Sequence, residues 1–137
     1  MKDLMLAIRT QLRNITSVKD RDVFLSADKD LIPKTATFPC IGIKDGRVGR
    51  ADLTGDVTEL TLPVEIYVYE KMINGDAEIL SVFDVTQAVH DQLQDNEFSG
   101  YVKAVDPGDE TPVQLLYRDN GLILRKTIFY QYEREES

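Results

Sequence analysis

The stretch VTELTLPVEIYVYEK, residues 57–71, decides how the rest of the chain is interpreted. Every even position from 60 to 68 is aliphatic, while the odd positions carry threonine, proline, glutamate and tyrosine. Since successive side chains of a β-strand point to opposite faces, this pattern predicts a long strand with one apolar face against a core. Tyr67 and Tyr69 are then expected on the outer face. Pro63 has no amide hydrogen and predicts a sheet edge or a bulge midway along the strand.

Two amphipathic helices are predicted on either side of this strand. Within residues 3–15, Leu4, Ile8, Leu12 and Ile15 recur at helical spacing. A second helix follows Gly75, where Asn74 or Asp76 can cap it. Its expected core stripe is Ile79, Val82, Phe83, Thr86, Val89, His90 and Leu93, and its expected polar face is Asp84, Gln87, Ala88, Asp91 and Asp95.

The remaining segments read as strands and connections. Residues 38–44 predict a strand opened by Pro39, and residues 45–56, with three glycines and two arginines, predict a protruding hairpin or flexible arm. Residues 16–37 predict a long connection with one short strand. Near the C-terminus we expect a short strand over 101–106, a turn over 106–109, and a hairpin that joins 113–118 to 122–133 through Asp119-Asn120-Gly121. The order of elements predicts a single α+β domain over residues 1–137, a largely antiparallel β-sheet with two α-helices packed on one face.

Composition limits the classes of function. A chain of 137 residues with 42% hydrophobic and 29% charged residues is typical of one globular domain, and we expect neither a membrane span nor a signal peptide. One cysteine excludes an internal disulfide and favours the cytoplasm as the place of folding. The net charge of −8 repels the phosphates of DNA, so sequence-specific DNA binding is disfavoured.

No catalytic, cofactor or metal site is predicted. A thiol dyad would need Cys40 beside His90, but His90 falls in the apolar stripe of the second helix and is interpreted as a hydrogen-bonded core residue. Cys40, in a strand, is interpreted as a small buried side chain. Asp106, Asp109 and Glu110 could hold calcium, although their spacing differs from an EF-hand and a solvated turn is favoured.

The last strand indicates an interface. Leu122, Leu124, Ile128, Tyr130 and Tyr132 share one parity, and Ile123, Thr127 and Phe129 share the other. With helices on one face only, we expect another copy of the chain to cover the second face.

Six residues are therefore candidates for contacts between subunits: Arg47, Arg50, Tyr67, Tyr69, Tyr130 and Tyr132. The alternatives stay open: the arginines can lie in a solvated loop, and Tyr67 and Tyr69 can be exposed residues chosen only for β-propensity.

The element order also resembles a known family. An N-terminal helix, FPCIGI (38–43), a glycine-rich arm, LTLPVEIYVYE (60–70), AEILSVFDVTQAVHDQL (77–93) and C-terminal strands resemble the tail terminator proteins of long-tailed bacteriophages, including the minor tail protein U type. The resemblance implies a hexameric ring in the virion tail or neck, assembled in the bacterial host cytoplasm, that ends polymerisation of the tail tube.

The same resemblance implies the partners. They are further copies of the chain, the tail tube protein and the head–neck connector, while DNA passes through the channel without specific binding. Tyr67, Tyr69, Arg47 and Arg50 match positions where that family makes ring or tube contacts.

Two other functions compete with this one. The first is a regulatory α+β domain that binds a small ligand and forms a dimer. The second is a hydrolase that uses scattered carboxylates, for which the many acidic side chains give no specific support.

Overall fold

The computed structural model describes residues 1–94, 100–103, 108–118 and 121–136, together with the backbone of residues 97 and 98. Helix α1 spans Lys2–Leu12, helix α2 spans Asp76–Gln92, and a 3-10 turn occupies Asp20–Asp22. The strands are β1 (Val23–Leu25), β2 (Cys40–Asp45), β3 (Gly49–Asp52), β4 (Thr58–Met72), β5 (Glu97–Phe98), β6 (Tyr101–Lys103), β7 (Asp109–Glu110), β8 (Gln114–Arg118) and β9 (Gly121–Glu136).

These nine strands of the described residues form one sheet. Its main order is β1-β2-β4-β9-β6-β5, with β3 added beside β4 and with β7 and β8 added beside β9. Only β1 and β2 run parallel, and every other described pair is antiparallel. The α+β prediction is confirmed.

The long strands β4 and β9 form the centre of the sheet. They pair without interruption from Thr58 opposite Glu136 to Met72 opposite Leu122. The even side chains of β4 from position 60 to 68 are all buried, as the alternation predicts. They pack against α1 and α2, which both lie on this face of the sheet. We call it the helix face.

Pro63 lies where its missing amide hydrogen has no consequence. On that edge of β4, strand β2 ends opposite Val64 and strand β3 begins opposite Thr61. The N–H and C=O of one residue point to the same side of an antiparallel strand, and the Pro63 carbonyl accepts a hydrogen bond from the Gly46 amide at 2.8 Å. The proline therefore faces the interruption between β2 and β3, where β4 has a local edge on that side, as one of the two predicted alternatives requires.

Helix α2 is rotated slightly from its predicted orientation. Val82, Val89 and Leu93 are fully buried, and Val85 is buried beside them, whereas Phe83 is 47% exposed. The prediction that Phe83 belongs to the core stripe is wrong. At about 100° per residue, Phe83 lies roughly 100° from Val82, outside the stripe that touches the sheet.

Several boundaries differ from the predictions. Helix α1 ends at Leu12, where Arg13 closes the last turn, although Ile15 is still buried. The predicted arm pairs with β4 as strand β3, and its flexibility stays a prediction. The β8–β9 hairpin is confirmed. The predicted turn over 106–109 and the Asp119-Asn120 turn lie largely outside the described residues, as does Asp95.

Candidate interaction surfaces

The chain itself covers half of the second face of the sheet. Residues 26–39, which connect β1 to β2 and are called the covering segment here, pack over Cys40, Tyr67, Tyr69 and Ile123. Both tyrosines are almost completely buried. The predictions that they lie exposed on an outer face, and that only a sibling molecule covers this face, are therefore wrong for this half. Ile32, Ala36 and Phe38 of the covering segment supply the apolar contacts.

Hydrogen bonds fix the covering segment in place. The Tyr69 hydroxyl donates to the Lys29 carbonyl. Asp30 accepts from Arg125 at 3.0 Å and from Arg118 at 3.2 Å, and Arg125 is itself buried. Burial tends to raise the pKa of Asp30, but the two arginines outweigh it and the pKa lies below its ordinary value. The segment is thus held by charged and neutral bonds to β4, β8 and β9.

The C-terminal end of the covering segment has a second attachment. Asp22, almost fully buried in the 3-10 turn, accepts hydrogen bonds from the Thr37 amide at 3.1 Å and from the Thr37 hydroxyl. At the other end, the Ser26 amide donates to the Ile43 carbonyl at 2.8 Å. Since a buried carboxylate is costly unless hydrogen-bonded, Asp22 and Thr37 define the path of this segment.

A cleft of about 810 Å³ opens between the covering segment and the ends of β4 and β9. We call it the basic cleft. Its apolar lining is Leu31, Ile32, Pro33, Ala36, Phe38, Ile73 and Ile123. Its charged lining is Lys34, Lys71 and Arg118 against Asp30 and Glu70. A local excess of positive charge in a chain of net charge −8 sets this cleft apart from the average surface.

The other half of the second face is not covered by the described residues. We call it the open half-face, and its members are Lys44, Glu59, Thr61, Pro63, Glu65, Val102, Phe129, Gln131, Glu133 and Glu135, which share one side of their strands by register. Phe129 is 40% exposed and Val102 is also exposed. A shallow pocket of about 380 Å³ lies beside Phe129, lined also by Pro63 and Arg47. This half of the face is thus uncovered by the described residues, but only Pro63, Val102 and Phe129 among its members are apolar.

One end of the open half-face is strongly acidic. Glu59 lies directly opposite Glu135, and Glu133 lies opposite Thr61. Like charges facing each other across two strands destabilise a sheet. This end of the surface therefore repels anions such as DNA phosphates.

The two arginines predicted as contacts lie on different faces of the sheet. Arg47 lines the pocket beside Phe129 on the open half-face, whereas Arg50 pairs with Leu60 and therefore points to the helix face. Arg50 is an exposed residue of β3, and Arg47, also exposed, lies in the interruption between β2 and β3. Neither makes an ion pair with a residue that the structure describes. Arg47 is thus available to a partner at the open half-face, while Arg50 interacts electrostatically with Glu136 on the other side of the sheet. The role of both arginines as contacts stays a prediction.

Tyr130 and Tyr132 lie on the helix face and are buried there. The Tyr130 hydroxyl contacts His90 Nδ1, and His90 Nε2 lies 2.6 Å from Glu110 Oε2. Burial raises the pKa of Tyr130 to about 12, so this phenol is not an activated nucleophile. The prediction that both tyrosines are surface contacts is wrong, because their side chains are buried.

Cys40 and His90 lie on opposite faces of the sheet, so they form no dyad. Burial, together with the charges of Asp22 and Glu70, raises the pKa of the Cys40 thiol well above its ordinary value. Both residues are structural, as their positions in the sequence predict. Within the described part of the chain, no three His, Cys, Asp or Glu side chains are arranged to hold a metal ion, and no helix is long and apolar enough to cross a membrane.

Sequence reasoning put Phe129 on the second face without naming it as a contact residue, and it missed the exposure of Leu80 and Phe83. Phe129 is an aromatic residue between two buried positions of β9, and Leu80 and Phe83 stand on the outer side of α2. The apolar content of residues 31–38 was the available signal that the connection after β1 covers part of the sheet.

The sequence matches no protein-family model and no curated protein. Among solved structures, the chain is similar to a chain from the virion of a native gene transfer agent particle, with a TM-score of 0.60 and 17% sequence identity. The similarity covers 98% of this chain and 96% of that chain. The two proteins therefore share a fold over almost their whole lengths.

Proposed function

We propose that this chain is a virion structural protein that caps a phage tail tube as an oligomeric ring. It ends tail polymerisation and joins the tail to the neck connector, and it has no catalytic role. The observation that carries the proposal is the open half-face, a partly apolar sheet surface uncovered by the described residues. The shared fold with a chain of a gene transfer agent virion supports it, because the similarity covers 96% of that chain.

The open half-face supplies the contact with the tube end. Phe129 and Val102 give it apolar side chains, and Arg47 borders it with a cation that has no ion-pair partner among the described residues. Arginine favours contacts of this kind because its planar guanidinium binds a carboxylate with two hydrogen bonds. The acidic end of the surface lets DNA pass without binding.

The test is a capping assay with purified tail tubes. Wild-type protein is expected to end the tubes at a fixed length, with a ring visible at one end in negative-stain images. Phe129→Ala is expected to lose most of this activity, while Leu25→Ala retains it, since these side chains are equally exposed at 40% and 43% but Leu25 lies on β1. Tubes that keep growing in the presence of wild-type protein would refute the proposed function.

The basic cleft favours a second candidate function, binding of a small ligand. Its volume of about 810 Å³ is within the range of ligand pockets, roughly 300 to 1,000 Å³, and its lining combines apolar walls with a few charged groups. Saturable thermal stabilisation by one compound in a metabolite screen, lost in Lys71→Glu, would support this candidate.

A further inference from the structure

The outer side of α2 is an acidic, partly apolar stripe. Its members are Asp76, Leu80, Phe83, Asp84, Gln87 and Asp91, all exposed. At about 100° per residue they fall within one band roughly 120° wide along the helix. Leu80 is 59% exposed and Phe83 is 47% exposed. The sequence of α2 contains no lysine or arginine, so no cation within the helix balances the three aspartates.

The basic cleft has the complementary properties. Leu31 and Ile73 stand at its rim as large exposed apolar side chains. Lys34 and Lys71 make no ion pair with a described residue. Arg118 shares the single carboxylate of Asp30 with a second arginine, so its charge is only partly balanced. The cleft therefore favours an apolar group flanked by carboxylates.

The acidic stripe and the basic cleft lie on opposite faces of the sheet. Helix α2 packs on the helix face against β4 and β9, and the cleft lies beneath the covering segment on the second face. One molecule cannot bring the two surfaces together within itself. Two molecules can, and the pair then keeps one free stripe on one molecule and one free cleft on the other for further copies.

We propose that the basic cleft of one copy receives the acidic stripe of α2 from the next copy. Leu80 and Phe83 enter among the apolar side chains of the cleft, and Asp84 and Asp91 face its lysines. A contact between two unlike surfaces is head-to-tail, and it generates a ring when the rotation between neighbours closes. The inference rests on the proposed function, since it names the contact by which the ring is built.

The properties of both surfaces support this pairing over an apolar contact alone. Exposed apolar side chains mark interaction sites when they gather in one place, and opposite charges around them fix the partner and its register. Like surfaces cannot pair in the same way, because stripe against stripe opposes aspartates and cleft against cleft opposes lysines. The charge pattern thus favours a head-to-tail contact over a two-fold dimer.

Charge reversal tests the contact. One variant carries Lys34→Glu and Lys71→Glu in the cleft, and the other carries Asp84→Lys and Asp91→Lys on the stripe. A control carries Lys2→Glu and Lys19→Glu, which reverse two exposed lysines elsewhere on the chain. All are compared with wild type by mass photometry and sedimentation over a concentration series, after circular dichroism has shown that they are folded.

Wild type and control are expected to form rings at high concentration, and each reversed variant alone is expected to stay monomeric. A mixture of the two variants is expected to recover rings with strictly alternating copies, because each stripe then meets a cleft of opposite charge. If a reversed variant does not fold, the neutral pair Lys34→Gln and Lys71→Gln replaces it and is expected to weaken assembly. Reversed variants that assemble like wild type, or a wild-type chain that stays monomeric at every concentration, would overturn the inference.

The capping assay separates this inference from the proposed function. If the cleft variant caps tubes as wild type does, the contact is wrong and the capping function stands. If wild type forms cleft-dependent rings but leaves tubes uncapped, the contact stands and the capping function is wrong.

Discussion

Removing one hydroxyl from Tyr69 is expected to loosen the covering segment without disturbing the helix face. Tyr69 is fully buried on β4, and its hydroxyl donates to the Lys29 carbonyl. Tyr69→Phe keeps the ring and its stacking on Phe24, whose ring centroid lies 6.5 Å away. The change therefore removes a hydrogen bond and little else.

The size of the effect follows from that bond. A hydrogen bond within a protein contributes about 0.5 to 1.5 kcal/mol net. The Lys29 carbonyl keeps a contact with Arg125 Nη1 at 3.4 Å, so it is not left wholly without a donor. The free energy that holds the segment closed should fall by about 1 kcal/mol, which raises the open population about fivefold.

Cys40 reports this opening because it is the only cysteine and lies fully buried beneath the covering segment. Its labelling by a thiol reagent in native buffer is expected to be about fivefold faster in Tyr69→Phe than in wild type. Tyr117→Phe is the matched control, since Tyr117 is 75% exposed, and it should label at the wild-type rate. Equal labelling of Tyr69→Phe and wild type would show that this bond does not hold the segment.

Three further changes test the fold and the open half-face. Burial tends to raise the pKa of the Glu110 carboxyl, but its histidine and lysine partners lower that pKa below the ordinary 4.5. Above this pH, wild type should therefore exceed Glu110→Gln in unfolding free energy by under about 1 kcal/mol. Urea titrations should show this difference disappearing as the pH falls further. Gly46→Ala places a new Cβ 2.7 Å from the Pro63 Cβ and should lower the free energy of unfolding, measured in urea, by about 1 to 3 kcal/mol. Gly49→Ala should lower it less, because the atom nearest to its new Cβ lies 3.5 Å away. Ile128→Ala, at a fully buried position, should cost about 2 to 5 kcal/mol, while Phe129→Ala should change thermal stability little and reduce tube capping.

The alternation of residues 57–71 was sufficient to predict the long strand β4. It predicts which side of β4 faces the helices, and the missing amide of Pro63 predicts the break between its neighbours. Alternation does not show which residues cover the second face of the sheet. Tyr67 and Tyr69 have the parity of an outer face and are nevertheless buried, because residues 26–39, distant in sequence, return across them.

The functional surfaces were harder to predict because each depends on an orientation that periodicity leaves undetermined. A helix stripe read from sequence has a margin of about one residue, and that margin decided whether Phe83 was assigned to the core or to the surface. Glycines and arginines mark residues 45–56 as a separate segment, but they do not show that it pairs with β4 or that Arg50 lies opposite Leu60. The basic cleft could not be predicted, since its walls come from segments that meet only in the folded chain.

The register between β4 and β9 connects these surfaces to one another. Each of the two strands gives one side to the helix face and the other side to the covered and open halves of the second face. A shift of one residue in either strand would exchange its buried and exposed side chains, so the core that stabilises the domain also fixes where Phe129 and Lys71 stand. A ring closes only if every copy repeats the same angle between its two contact surfaces. A sheet whose two longest strands pair over their common length holds that angle more constantly than flexible loops would. This is a physical reason for the proposed ring to place its contacts on this sheet and on the helix packed against it.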